Sequence, residues 1–331
     1  MKIKIIGCGL SGITSAILLK EKGHDVEIFE TRNHIGGNCY DEKNDGITVH
    51  KYGSHIFHTN DDDVWNFLNR YSSFNDYTHK VRANTNMGLI SIPYNKKTTE
   101  QIGKDLSPLD IQELIFREYS ERHWGIKWEE LPKSISNRVP NKRDNYDERY
   151  FTDKYQGIPS KGYTEMFNNM LDGIKLNIGV SKNEYKKLKY DMMIYTGKPD
   201  DFFDFSFGKL PYRSLRFEHF KVEKDDNFSW DKGAVINECN SNPFNRTMDN
   251  GVYLNEKTSH TIMTRDYPEE HNEYNDPIYP KDFGEGMIVY SAYKKAIQSQ
   301  KNVIFLGRLA SYKYLDMWMA IKQAMVKCGE I

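Results

Sequence analysis

The sequence predicts an α/β fold in which a discontinuous domain built on parallel strands carries an inserted small helical domain and an antiparallel β-sheet domain. Three observations predict this organisation. The chain opens with a strand, a glycine-rich turn, a helix and a second strand over residues 2–30. Two later apolar strands, at 191–196 and 303–307, each run into a loop or a glycine. Between them, residues 212–290 alternate in the manner of antiparallel strands.

The first turn fits the pattern G-x-G-x-x-G through Gly7, Gly9 and Gly12. In this pattern the first glycine forms a tight turn, the second lets the backbone approach a pyrophosphate, and the third lets the helix pack on the strand. Ser11 begins the helix, whose free N–H groups would face the anion. Glu30 ends the second strand 18 residues after Gly12, near the spacing of a carboxylate that binds a ribose hydroxyl. The segment is therefore predicted to begin a dinucleotide-binding domain of the Rossmann type.

A second glycine pair follows this fingerprint directly. Arg32, Gly36, Gly37 and Asn38 belong to the run RNHIGGN. Adjacent glycines let the backbone pass close to a bulky ligand. The R-x-x-x-G-G pattern resembles the FAD-binding flavoproteins of the glutathione-reductase class more than NAD dehydrogenases, so FAD is the predicted cofactor.

Composition excludes several classes of function. A net charge of −1 leaves no bulk field to attract nucleic acid. The four cysteines lack metal-ligand or disulfide-framework spacing, so we expect no metal and a reducing, cytoplasmic compartment. No run approaches the 18 or so apolar residues of a membrane span, and we expect no signal peptide.

The remaining elements are predicted from periodicity and turn signals. We expect a helix at 61–71, two strands around an Asn-Met-Gly turn at 81–94, a helical segment at 98–123 with a break at Ser107-Pro108, and helices at 162–171 and 316–327. The predicted domains are 1–62, 171–206 and 301–331 for FAD; 98–137 for the helical insert with a mobile loop; and 63–97, 138–170 and 207–300 for the antiparallel substrate domain.

Longer motifs resemble those of the UDP-galactopyranose mutases. Residues 50–59 (HKYGSHIFHT) resemble H-x-Y-G-P-H-I-F-H-T, and residues 307–317 (GRLASYKYLDM) resemble G-R-L-x-x-Y-x-Y-L-D-M. Residues 150–164 resemble the family's Y-F-x-x-x-x-Q-x-x-P-x-x-G-Y-T run. Shorter matches are HWG at 123–125 to Q-W-G, RVP at 138–140 to R-x-P, and PFNRT at 243–247 to P-Y-T-R-I. These matches are collinear, and the chain is identified as a member of this family.

The chain departs from the family pattern at several positions. Ser54 replaces proline, His123 replaces glutamine, and residues 249–251 read Asp-Asn-Gly where the family has E-H-K. The stretch from Tyr94 to Trp124 is shorter than the pattern by about one or two helices. In the family this insert carries the dimer contact and part of the uridine site, so the shortening leaves the oligomeric state open and we expect it to be changed.

The resemblance implies an isomerase that interconverts UDP-galactopyranose and UDP-galactofuranose and so supplies galactofuranose for cell-surface glycans. It implies that N5 of reduced FAD attacks the anomeric carbon and expels UDP, with an external reductant for the flavin. Arg138 and Arg246 are the implied catalytic residues, because a guanidinium fork fits the leaving diphosphate. The implied substrate-binding residues are Phe116, Tyr119 (stacking on uracil), Trp124 (on the mobile loop), and the phosphate-binding Tyr150, Tyr279 and Tyr314.

The resemblance also implies further contacts to FAD. They comprise His55, His58, Val180, Arg213, Gly307, Arg308, Tyr314, Leu315, Asp316 and Met317. His55 and His58 have no third ligand at a suitable spacing for a metal, so they are assigned to the flavin environment.

Several alternatives stay open at this stage. A lone arginine in a polar loop is more often a surface charge, and Tyr150 and Tyr314 are also compatible with core tyrosines. A flavin amine oxidase or desaturase shares the N-terminal fingerprint, but it has no use for two arginines aimed at a diphosphate. A non-catalytic sugar-nucleotide binder is a third interpretation. The preferred UDP-sugar, whether galactose, N-acetylgalactosamine or arabinose, is not readable.

Overall fold

The structure is a computed structural model, and it describes residues 1–136, 142–224 and 233–331. Within these residues the strands are, in chain order, β1 (Lys2–Ile6), β2 (Asp25–Phe29), β3 (Asp41–Asn44), β4 (Ile47–His50), β5 (Phe57–Thr59), β6 (Val81–Thr85), β7 (Gly88–Ile92), β8 (Tyr155–Gly157), β9 (Lys175–Asn177), β10 (Met192–Tyr195), β11 (Tyr212–Glu223), β12 (Val235–Cys239), β13 (Arg246–Asp249), β14 (His260–Glu270), β15 (Tyr279–Pro280) and β16 (Val303–Phe305).

The α-helices of the same residues are α1 (Leu10–Glu21), α2 (Asp62–Asn69), α3 (Lys96–Ile102), α4 (Pro108–Ile111), α5 (Glu118–Trp124), α6 (Lys133–Ser136), α7 (Tyr163–Met170), α8 (Lys182–Tyr185), α9 (Pro199–Phe202), α10 (Asn250–Tyr253), α11 (Glu285–Ser299), α12 (Gly307–Ala310) and α13 (Met317–Gly329). Short 3₁₀ turns lie at Gly37–Cys39 and Trp128–Glu130, and a π-helical segment lies at Gln112–Arg117. None of the helices in the described part of the chain has the length and apolar character needed to cross a membrane.

A five-stranded sheet, in the order β16-β10-β1-β2-β9, forms the first layer of the fold. Every neighbouring pair in it is parallel, which confirms the predicted discontinuous α/β domain. Helix α1 packs between this sheet and α13, so it is buried nearly all round rather than on one face. Because the strands are parallel, their carboxyl ends meet at one edge, where ligands bind in such sheets.

A seven-stranded sheet, in the order β15-β11-β14-β13-β12-β6-β7, forms the second layer. The sequence predicts an antiparallel sheet here, and the structure corrects this at one pair, because β12 runs parallel to β6 with Val235 opposite Val81. More than a hundred residues separate these two strands in the chain, so no hairpin turn forces them to be antiparallel. The hairpin β6–β7 surrounds the predicted Asn-Met-Gly turn.

The predicted break at Ser107-Pro108 separates two helical stretches of the insert. Ser107 caps the second stretch, and its hydroxyl accepts from the backbone N–H of Asp110 at 3.2 Å. From Pro108 the helix is continuous to Trp124 through α4, the π-helical segment and α5. Ile115 and Phe116 from this helix are buried in an apolar core beneath β6 and β7. The π-helical segment therefore contains Phe116 and lies just before Tyr119 and Trp124, three residues that the sequence predicts to meet the substrate.

One part of the predicted substrate domain packs with the cofactor domain instead. Strand β8 pairs with β5, with Phe57 opposite Gly157. Met166 and Phe167 of α7 join the same buried core as Ile13 of α1. Residues 155–170 therefore cover the parallel sheet, although the sequence analysis assigns 138–170 to the antiparallel domain.

Candidate active site

A cavity of about 340 Å³ lies at the carboxyl edge of the parallel sheet. Its walls come from the loops after β1, β2, β10 and β16, which are far apart in the chain. The residues predicted to bind FAD that line it are Gly7, Gly9, Ser11, Gly12, Glu30, Arg32, Gly36, Gly37, Asn38, His55, Gly307, Arg308, Leu315, Asp316 and Met317. The two fingerprint segments and the distant C-terminal motif thus converge on one cavity.

Backbone geometry explains two of the glycines. Gly7 has φ +103°, and a Cβ at this position would lie 2.0 Å from Oγ1 of Thr196. Gly37 has φ +57°, and its Cβ would lie 3.1 Å from the Cα of Gly9. The two glycine-rich loops therefore touch each other by backbone alone and form a narrow cradle. Side chains here would fill the space that the fingerprint predicts for a pyrophosphate.

Glu30 is buried at the wall of this cavity, where two backbone amides orient its carboxylate. Oε2 accepts from the N–H of Cys8 at 2.7 Å, and Oε1 accepts from the N–H of Arg32 at 2.9 Å. Val180, which the sequence analysis assigns to the cofactor, does not line the cavity. Its backbone N–H donates to the backbone carbonyl of Glu30 at 2.9 Å, so Val180 helps to fix the backbone of Glu30.

Several cavity residues were missed by sequence reasoning. They are Tyr185, Tyr195, Thr196, Gly197, Lys198, Asp201, Asp276 and Pro277. A signal for Thr196 and Gly197 existed, because they end a buried strand whose parallel partners end in cofactor loops. The hydroxyl of Thr196 donates to the carbonyl of Ile6 at 2.8 Å, which ties two of these strand ends together. For Asp276 the sequence offers no comparable signal.

The surroundings of His55 keep its ring neutral and determine which ring nitrogen carries the proton. Its Nδ1 lies 2.8 Å from the carbonyl of Gly53, so Nδ1 carries the proton and Nε2 is an acceptor. Burial lowers the pKa of His55 to about 3. His58 does not line the cavity; its Nδ1 lies 2.8 Å from a carboxylate oxygen of Asp153, and its ring stacks on Phe151 at 3.7 Å.

Arg213 is placed differently from the prediction, because its guanidinium does not line the cavity. Nε donates to the carbonyl of His123 at 2.8 Å, and Nη2 donates to the carbonyl of Arg122 at 3.1 Å. Nη1 pairs with Glu270 at 2.6 Å. Arg213 is 4% exposed and clamps the C-terminal end of α5 onto the antiparallel sheet.

Four rings form a row from α5 to the cavity wall, which we call the aromatic row: Tyr119, His123, Tyr279 and Tyr314. Successive ring centroids are 6.1, 5.0 and 5.9 Å apart. The guanidinium carbon of Arg308 lies 5.4 Å from the Tyr279 ring and 4.9 Å from the Tyr314 ring. Since Arg308 also lines the cavity, the predicted substrate residues are continuous with the predicted cofactor site.

Arg246 lies beside this row on β13. Nε donates to Oδ2 of Asp266 at 2.6 Å, and Nη2 lies 2.5 Å from the same oxygen. Burial opposes the charge on Arg246, but Asp266, Tyr119 and Tyr279 together favour it and raise the pKa of Arg246 well above its usual value. Burial raises the pKa of Tyr150, and the nearby charge of Arg246 acts in the opposite direction. Arg246 and Tyr150 thus belong to one cluster with Tyr119.

Two predicted substrate residues take unexpected positions. The family resemblance implies that Trp124 lies on a mobile loop, whereas in the structure Trp124 is the last residue of α5, 6% exposed and packed against Phe283. Arg213 fixes this helix end, which explains the difference. Phe116 is 8% exposed within an apolar core, so its burial is accounted for by packing alone. Arg138 lies outside the described residues, and its role stays a prediction.

Two segments of the chain match known protein families. Residues 114–314 match the family described as UDP-galactopyranose mutase. Residues 5–71 match the NAD(P)-binding Rossmann-like domain. The second match covers the glycine fingerprint, and the first covers the aromatic row with Arg246.

Full-length relatives were also found. A dTDP-fucopyranose mutase of Escherichia coli is 35% identical over 373 aligned positions, covering 100% of this chain and 98% of the relative. Because all 331 residues are included, 373 − 331 = 42 positions of that alignment have no counterpart here. A probable UDP-galactopyranose mutase of Klebsiella pneumoniae is 33% identical, covering 99% and 94% of the two chains. The predicted shortening between Tyr94 and Trp124 stays a prediction.

A solved structure of reduced UDP-galactopyranose mutase has the same fold. It superposes with a TM-score of 0.80 at 14% identity and covers 99% of this chain and 93% of that chain. A fatty acid isomerase from P. acnes and a putrescine oxidase variant superpose less closely, with TM-scores of 0.61 and 0.58.

Proposed function

The chain belongs to the UDP-galactopyranose mutase family, a family of FAD-dependent isomerases, and from this premise we propose that it interconverts UDP-galactopyranose and UDP-galactofuranose. The observation that carries the proposal is the continuity between the FAD cavity and the aromatic row, joined by Arg308. A nucleotide sugar bound along this row would meet a cofactor at the cavity wall. The substrate of an amine oxidase carries no diphosphate, so such an enzyme would not need the guanidinium of Arg246 at this position.

The residues of this chain supply binding, orientation and charge in the proposed reaction. When bound, reduced FAD supplies the nucleophile for the anomeric carbon. The cradle of Gly7 and Gly37 and the carboxylate of Glu30 hold the cofactor's pyrophosphate and ribose. Tyr119 stacks on the base, and Arg246, oriented by Asp266, neutralises charge on the departing diphosphate. Tyr150, Tyr279, Tyr314 and, by sequence alone, Arg138 donate to the same phosphates.

A second candidate substrate is dTDP-fucopyranose. The observation in its favour is the E. coli relative of that specificity, which is 35% identical across the whole chain. The same chemistry serves both sugars, because ring contraction requires the anomeric carbon, a nucleoside diphosphate leaving group and the C4 hydroxyl that closes the furanose ring, and both sugars have all three.

We further propose a cytoplasmic enzyme whose flavin is kept reduced by an external reductant. The four cysteines are buried with free thiols, which supports a reducing compartment. The sequence contains one dinucleotide fingerprint, and that fingerprint is assigned to FAD, so the electrons are proposed to come from a separate reductant.

Turnover by the reduced protein tests the proposed function. The FAD-loaded protein, with and without dithionite, is incubated with UDP-galactofuranose or UDP-galactopyranose, and the products are separated by chromatography. We expect interconversion only with the reduced protein. The same assay with dTDP-fucopyranose compares the two candidate substrates. Equal rates without dithionite would refute the role of reduced flavin, and no conversion of either sugar would refute the function.

A further inference from the structure

His123 and Asn245 are two positions at which this chain departs from the family motifs, where glutamine and threonine stand. The structure brings these two departures into contact. Nδ1 of His123 lies 3.0 Å from Nδ2 of Asn245. One residue comes from α5 and the other precedes β13, so the contact joins the helical insert to the antiparallel sheet.

The orientation of the Asn245 amide is decided by a neighbour that can only donate. Nε of Arg122 lies 2.7 Å from Oδ1 of Asn245, and a guanidinium has no acceptor. Oδ1 is therefore the acceptor in that contact, and the amide NH₂ faces His123. Asn245 itself has no exposed surface, and its backbone N–H donates to the carbonyl of Asp266 at 2.8 Å. The amide is thus held rigidly.

The amide in turn decides which nitrogen of His123 carries the proton. Because the NH₂ of Asn245 donates, Nδ1 of His123 must accept and is unprotonated. A neutral imidazole then carries its proton on Nε2. The ring is neutral, since burial first and the charges of Arg246, Arg213 and Arg122 next lower the pKa of His123 to about 3. The hydrogen bonds from Arg122 to Asn245 and from Asn245 to His123 therefore determine one tautomer of the His123 ring.

The Nε2–H group of His123 has no hydrogen-bond partner among the described residues. A buried Nε2 without a partner would be unsatisfied, and Nε2 of His123 is not such an atom. It is therefore accessible and faces open space. The Tyr119 and Tyr279 ring centroids lie 6.1 and 5.0 Å from that of His123, and Arg246 is near enough for its charge to lower the pKa of His123. Tyr119, Tyr279 and Arg246 are the residues proposed to bind the nucleotide sugar.

We propose that His123 is a substrate-binding residue whose neutral Nε2–H donates to an oxygen of the nucleotide, and that Asn245 is the positioning residue that holds this tautomer. The inference rests on the proposed function and deepens it. The acceptor is a carbonyl oxygen of the base or a phosphate oxygen. A donor without charge suits this place, because Arg246 already supplies charge and a second cation beside it would be repelled.

Binding of UDP to the FAD-loaded protein, measured by calorimetry, tests the donor. His123→Phe keeps a ring that can stack on Tyr119 and removes the donor, whereas His123→Gln restores a donor and is the residue of the family motif. We expect His123→Phe to weaken UDP binding by roughly 2- to 12-fold for a base carbonyl and roughly 12- to 160-fold for a phosphate oxygen. We expect His123→Gln to stay close to wild type.

Uridine separates the two acceptors. If the base carbonyl is bound, His123→Phe weakens uridine binding as much as UDP binding; if the phosphate is bound, uridine binding is unchanged. A two-bond ¹H–¹⁵N NMR spectrum of wild-type protein checks the tautomer independently, and we expect the proton on Nε2. In Asn245→Leu, which cannot donate, we expect this preference to be lost.

Two results would overturn the inference: a proton on Nδ1 in the wild-type spectrum, or equal UDP affinity of wild type and His123→Phe. Absence of any UDP binding by the wild-type protein would instead refute the proposed function. The flavin spectrum and content of each variant report whether the fold is intact.

Discussion

Asp266 holds the guanidinium of Arg246 through one carboxylate oxygen, which accepts from Nε at 2.6 Å and lies 2.5 Å from Nη2. Asp266 is fully buried, whereas 19% of the Arg246 side chain is exposed. The carboxylate therefore fixes the orientation of the guanidinium, and Nη1 has no partner among the residues that the structure describes. This geometry leaves one side of the cation available for a diphosphate.

Arg246→Ala is expected to lower turnover by about 10²–10³-fold, because a charge-assisted donor to the departing diphosphate is lost. Flavin binding should persist, and Arg246→Lys should rescue only partly, since lysine lacks the planar fork. The measurement is the single-turnover rate with reduced protein. Arg216→Ala is the matched control, because Arg216 is a 54% exposed arginine of the same sheet. Wild-type rates in Arg246→Ala would make this residue purely structural.

Arg138→Ala is expected to show a loss of similar size, although this prediction rests on the RVP motif alone. The same rate measurement checks it, with Arg143→Ala as control. The side chain of Arg143 is described, and it donates to the carbonyl of Arg149 at 2.6 Å. Unchanged turnover in Arg138→Ala would show that Arg138 has no role in the reaction.

Glu30→Ala is expected to weaken FAD binding by roughly 1.5–3 kcal/mol, because a hydrogen bond between a ribose hydroxyl and a charged acceptor is removed. The two backbone amides that Glu30 accepts from would also lose their partner. The dissociation constant of FAD from the reconstituted apoprotein measures the effect. Glu27→Ala, three residues earlier on β2 and paired with Lys4, serves as the control. An unchanged constant would remove Glu30 from the cofactor site.

Gly7→Ala is expected to cost more stability than Gly88→Ala, and the pair separates a steric clash from backbone strain. Both glycines have nearly the same φ, +103° and +102°, so both carry a strain of about 1–2 kcal/mol with alanine. Only at Gly7 would the added Cβ also clash with a neighbour, because it would lie 2.0 Å from Oγ1 of Thr196. Urea unfolding measures the difference, and Thr196→Ala should restore part of it. Equal losses would show that the loop simply moves.

Lowering the pH from 7 to 5 is expected to destabilise the protein through four histidines, His50, His55, His79 and His123. Burial is the main cause that lowers the pKa of each to about 3, against about 6.5 in an unfolded chain. Between pH 7 and pH 5 the unfolded chain therefore binds more protons than the folded protein. The free energy of unfolding decreases as the pH is lowered, with a slope approaching about 1.4 kcal/mol per pH unit for each histidine. Urea unfolding at several pH values measures the slope, which His79→Gln should reduce by one histidine's share.

The cofactor side of the site was readable from the sequence because its chemistry lies in local patterns. A strand, a tight glycine turn and a helix are specified within residues 2–21, and the spacing to Glu30 follows from the length of one βαβ unit. The break at Ser107-Pro108 was equally local, since a capping serine and a proline act within one turn. The motif of residues 307–317 was recognised by resemblance, and its two ends, 307–309 and 315–317, line the cavity, whereas Tyr314 does not.

What only the tertiary structure decided is how distant segments meet and which way their polar groups face. Arg213 resembled a flavin contact, yet its guanidinium binds the carbonyls at the end of α5, a partnership between residues 90 positions apart. The parallel pairing of β12 with β6 and the place of Asp276 in the cavity depend likewise on packing. The tautomer of His123 needs Asn245 and Arg122, because a proton's position is set by the donors and acceptors around it and not by the residue that carries it. Local backbone conformation is determined by neighbouring residues, whereas these side-chain contacts form only when folding brings remote residues together.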